Sequence, residues 1–88
     1  MTPFLDADIG DELADVLIKR ARVLLESGRT EKAIEDLKRA IDHHPDPETI
    51  AELAKVFRAE DRGEDLRKLL ERFASLKHPS LEPYRRRK

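Results

Sequence analysis

The 88-residue chain has no cysteine, which removes disulfide bridges and thiolate metal sites from the chemistry open to it. Asparagine and glutamine are missing as well, while arginine, lysine and glutamate are plentiful, a bias associated with thermophilic proteins. No apolar run approaches the roughly 20 residues that a membrane helix needs, so no membrane span is expected. The opening residues MTPFLDADIGDEL hold neither a basic start nor a long apolar stretch. No signal peptide is therefore read there, and the expected location is cytoplasmic. The three glycines lie far apart, so there is no glycine-rich phosphate loop, and strand signals are absent throughout.

What the chain does have is charge. Charged residues make up 42% of it, against a usual figure of roughly 25%. Such a composition is compatible with disorder, but the apolar residues recur at helical spacing, which points to solvated amphipathic helices. The formal net charge is only −1, yet the sign is unevenly placed. Residues 1–18 carry Asp6, Asp8, Asp11, Glu12 and Asp15 and no base, whereas residues 67–88 carry eight bases against Glu71 and Glu82. An acidic start and a basic end can guide head-to-tail contacts or recruit a charged partner. At this length the chain is one small domain, with stability resting on efficient helix packing or on association.

The stretch from Gly28 to Pro45, GRTEKAIEDLKRAIDHHP, organises the rest. Ala33, Ile34, Leu37, Ala40 and Ile41 form one apolar stripe, and Glu31, Lys32, Glu35, Asp36, Lys38 and Arg39 are assigned to the polar face. Before it, a helix is expected from about residue 11 to Ser27, with Leu13, Leu17, Ala21 and Leu24 as its core stripe. Val16, Ile18, Val23 and Leu25 widen its apolar surface beyond one face. Gly28 is expected to supply the left-handed stop and Thr30 the cap of the next helix. Asp46-Pro47-Glu48 is a strong start signal for a third helix carrying Ile50, Leu53, Ala54 and Phe57, with Gly63 as its stop. A fourth helix is expected from about Glu64 to Lys77, with Leu66, Leu69, Leu70, Phe73 and Leu76. Residues 1–10 are expected to pack back on the helices, and residues 80–88 to form a loosely ordered basic tail.

The chain also repeats. Leu17, Ala21 and Leu24 align with Ile50, Ala54 and Phe57 at a spacing of 33, a helix-turn-helix period of the solenoid type. Ala21, Leu24, Gly28, Ala33, Leu37, Ala40 and Pro45 fall where the tetratricopeptide repeat family places its small, large apolar, turn and closing residues. The sequence resembles that family over about residues 11–79, in units of about 11–45 and 47–79. The resemblance implies an all-α fold, two antiparallel helical hairpins stacked as a short right-handed solenoid, acting by protein–protein interaction without catalysis or cofactor. The family's aromatic residues near the start of each unit are not matched, and the second unit departs further from the pattern.

In that family the first helix of each unit lines the binding face. Carried over by position, the face comprises Asp15, Ile18, Arg22 and Leu25, then Glu48, Ala51, Lys55 and Arg58, each set on one side of its helix. Ile18 and Leu25 would form apolar pockets flanked by bases, suited to a peptide with acidic and apolar groups. Three alternatives for these features stay open. Residues 1–10 could cover the apolar pair, the surface could be the interface of a homo-oligomer, and the Arg85-Arg86-Arg87-Lys88 run beside Tyr84 could bind nucleic acid or another acidic surface weakly. The helices carry no basic stripe, so nucleic acid is not the expected partner. His43 and His44 point about 100° apart on a helix and His78 is distant in sequence, so no metal site is expected.

Overall fold

A computed structural model describes the backbone of residues 5–85 and the side chains of residues 13–85. The described residues are all-α, without strands, and divide into two compact units at Pro45–Asp46.

The first unit is a hairpin of α1 (Leu5–Glu26) and α2 (Thr30–His43). α1 starts some two turns before the expected position. Gly10, which suggested a boundary, lies inside the helix at a cost of about 1 kcal/mol relative to alanine, and residues 5–10 continue α1 instead of folding back on it. Residues 1–4 of that expected segment lie outside the described residues. At the other end Gly28 takes a left-handed φ of 81°. The amide of Arg29 donates to the Leu24 carbonyl at 2.8 Å, and that of Gly28 to the Leu25 carbonyl at 3.1 Å. This paired closure is a Schellman motif, and it satisfies carbonyls that a helix end leaves open. The expected cap is displaced by one residue: Arg29 precedes α2 without a side-chain cap, and Thr30 begins the helix.

Ala14, Leu17 and Ala21 of α1 are buried, as are Ala33, Ile34, Leu37, Ala40 and Ile41 of α2. Ala14, Leu17 and Ala40 form one cluster, with Leu13 and Ile18 packed against it. With Arg20 bonded to Asp36 and Leu17 beside Ala40, residue numbers rise along one helix as they fall along the other, so the hairpin is antiparallel. α2 is 14 residues long against 22 for α1, and this register leaves residues 5–12 running about 12 Å beyond the end of α2.

The second unit contains α3 (Pro47–Ala59), α4 (Gly63–Arg72), a 3-10 turn at Pro79–Leu81 and α5 (Glu82–Arg85). Asp46 holds the N-cap position and Pro47 the first turn of α3. The Asp46 carboxylate accepts from the Thr49 hydroxyl at 3.3 Å. Ile50, Leu53, Ala54, Val56, Phe57, Leu69 and Leu81 are buried.

The end of α3 differs from expectation. Gly63 is not the stop but the first residue of α4. The left-handed position belongs to Asp61, at φ 60°. Arg62 donates its amide to the Phe57 carbonyl at 2.8 Å and Asp61 to the Arg58 carbonyl at 3.1 Å, the same closure as at Gly28. The two turns therefore have equal length, and Asp61 stands 33 residues after Gly28. An aspartate can hold this conformation because its short polar side chain tolerates it better than most.

α4 ends at Arg72, short of the expected Lys77, and residues through 85 then fold against their own unit. The Arg85 guanidinium donates to the Phe73 carbonyl at 2.7 Å and the Leu76 carbonyl at 2.8 Å, covering carbonyls released where α4 gives out. His78 Nδ1 accepts from the Ser80 amide at 3.1 Å and so starts the 3-10 turn. Leu81 is fully buried. Through Arg85, then, the segment expected to be loose is an ordered part of the second unit, while residues 86–88 lie outside the described residues.

Candidate interaction surface

On α1, helical register puts Asp15, Ile18, Arg22 and Leu25 along one side, adjoining the stripe of Ala14, Leu17 and Ala21 that packs on α2. Asp15 and Arg22 are exposed, and Ile18 and Leu25 are half-buried. Ile18 owes its burial partly to the Ala14–Leu17–Ala40 cluster, so it is at once an edge of the core and a part of the surface. The large apolar residues that stand furthest out among the described residues are instead Val16, 58% exposed, and Val23, 62% exposed. They lie seven residues apart, on the side of α1 turned away from its core stripe.

On α3 the corresponding residues are Glu48, Ala51, Lys55 and Arg58. Glu48, Lys55 and Arg58 are exposed and Ala51 is half-buried. Arg58 has companions that helical spacing could not indicate. Its guanidinium lies 4.7 Å from the centre of the Tyr84 ring, a cation–π distance, and donates to the Pro83 carbonyl at 3.4 Å. Tyr84, which stands beside the basic run, thus already carries Arg58, and Arg85 is engaged by carbonyls just past the end of α4.

The first unit also holds a buried charge. Arg20 Nε donates to Asp36 Oδ2 at 2.7 Å and its second nitrogen to Oδ1 at 2.9 Å. Asp36, assigned from sequence to the polar face of α2, is only 1% exposed while Arg20 keeps one side in water at 51%. The bidentate hydrogen bond from Arg20 holds the Asp36 carboxyl below the usual carboxylate range, against the desolvation that pushes it up. A sequence signal was present: Asp36 follows Ala33 by three and precedes Ala40 by four, at the edge of the apolar arc. One period on, the same two positions are Leu53 and Leu69, both buried. One repeat joins its helices there with an ion pair and the other uses leucines.

Among the described residues no group of three histidine or acidic side chains is placed to hold a metal ion, and no helix is long and apolar enough to cross a membrane.

No curated protein and no solved structure matches the chain. Residues 14–56 match the family model of the tetratricopeptide repeat, a stretch that takes in most of α1, its Schellman turn, all of α2 and most of α3. That match, together with a hairpin turn that recurs at Asp61 one period after Gly28, supports assignment to the tetratricopeptide repeat family.

Proposed function

We propose that this chain is a non-catalytic interaction module that binds a peptide or protein partner through one face of the first helix of each hairpin. The faces comprise Asp15, Ile18, Arg22 and Leu25 on α1 and, in the other unit, Ala51, Lys55 and Arg58 on α3. The observation that carries this is the half-exposed pair Ile18 and Leu25 between exposed Asp15 and Arg22. An apolar ridge with charged neighbours offers both the burial that drives association and the polar contacts that orient a ligand. On α3 the exposed charges are mostly basic, which favours a ligand with acidic as well as apolar groups.

Selection of peptides from a random library on the native chain, followed by titration of the selected peptides, tests this. Leu25→Glu combined with Lys55→Glu should weaken those peptides by about a hundredfold, the loss of one apolar anchor and one charge contact. Lys38→Glu on the exposed side of α2 should leave them unchanged. Peptides that respond to Lys38→Glu and ignore the Leu25, Lys55 pair would overturn the assignment.

A further inference from the structure

The second unit has an open groove of about 600 Å3. Leu66, Leu70 and Tyr84 contribute apolar surface to it, and Arg58, Lys77 and Arg85 contribute positive charge. Arg67 lines it too, but is held between Glu64 at 2.6 Å and Glu71 at 2.9 Å. Glu71 is the one acid in the lining, so three basic residues are left without a carboxylate of the groove to offset them. In the first unit the positions one period earlier are Ala33 and Leu37, both wholly buried. Leu66 and Leu70 are only half-buried. The second helix of the second repeat therefore exposes apolar surface at positions that the first repeat covers.

We propose that this groove receives the acidic start of α1 from a second copy of the chain, in a head-to-tail contact. Residues 5–12 run past the end of α2 in the first unit and so extend as a helical end beyond their own hairpin. Their sequence, LDADIGDE, carries four acids and no base, with Leu5 and Ile9 spaced four apart. Four negative charges and an apolar pair at helical spacing complement a groove of three bases and apolar side chains. The surfaces joined differ from each other, so the contact is heterologous and extends into a chain of copies unless it closes into a ring. Arg58 is the only residue shared with the peptide-binding surface, and the inference does not rest on that function.

Three proteins test it by sedimentation and light scattering over a hundredfold range of concentration: the native chain, a head variant (Asp8→Lys, Asp11→Lys) and a tail variant (Leu70→Ser, Lys77→Glu). Circular dichroism checks that each variant folds, with Lys77→Glu alone as a milder tail variant. The native chain should grow in mass with concentration, and its association should weaken about tenfold between low and high salt as the charges are screened. Each variant alone should be a monomer. Mixed, the intact tail of one should accept the intact head of the other and give a 1:1 dimer that grows no further. A native chain that stays monomeric, variants that still associate, or a mixture that stays monomeric would each overturn the proposal, the last by pointing to a like-with-like interface.

Discussion

Asp36 shows how one buried charge can be read for its consequences. Its folded pKa is lowered by Arg20, so the pair's contribution to stability is complete above the unfolded aspartate value of about 4 and fades as pH falls through the lower folded value. Urea denaturation between pH 7 and 2 should therefore show a steeper acid loss for the native chain than for Arg20→Leu with Asp36→Leu. The second repeat already carries leucine at both positions, so that double variant should match or exceed the native stability at pH 7. Arg20→Leu alone should be the least stable of the three, because it strands a carboxylate in the core. If the single and double variants proved equally stable, Asp36 would not be paying any desolvation cost. At the same scale, Val16→Lys and Val23→Lys should each change stability by no more than about 0.5 kcal/mol, as expected for side chains that stand out from the core.

The helix turns are the elements that define the repeat, and they reach one geometry from two residues. Asp61→Gly should raise stability by roughly 0.5 to 1 kcal/mol by relieving a left-handed non-glycine residue, and Gly28→Ala should lower it by about 1 kcal/mol, both measured by urea denaturation. No heavy atom beyond Gly28 and its two chain neighbours lies within 4 Å of where a Cβ at this position would stand, so the loss there is of backbone origin. The Gly28 turn was legible from sequence because glycine is the usual occupant. The Asp61 turn was not, since Gly63 two residues later was the more obvious candidate and shifted the apparent loop length. The closing segment was obscured for a related reason. Pro79, Pro83 and the run of bases resemble a solvated tail, while the residues that order it, Leu81 and Arg85, act through contacts with distant parts of the unit. Leu81→Ala should cost about 2 to 4 kcal/mol, and Arg85→Ala should speed amide hydrogen exchange at the end of α4.

Across the whole molecule, the helical stripes, the all-α class and the 33-residue repeat were legible because they are periodic properties of the chain. The site was legible only as positions on helix faces. That Ile18 would share its side chain between core and surface, or that Arg58 would meet Tyr84, depended on packing between residues far apart in sequence. Docking of a partner on the Asp15–Leu25 face of α1 and on the Ala51–Arg58 face of α3 is the expectation on which the functional reading turns. Titration of the isotope-labelled chain with a library-selected peptide, followed by amide chemical shifts, tests it most directly. The largest shifts should fall between Asp15 and Leu25 and between Ala51 and Arg58; shifts concentrated in α2 and α4, with those two stretches unmoved, would contradict this.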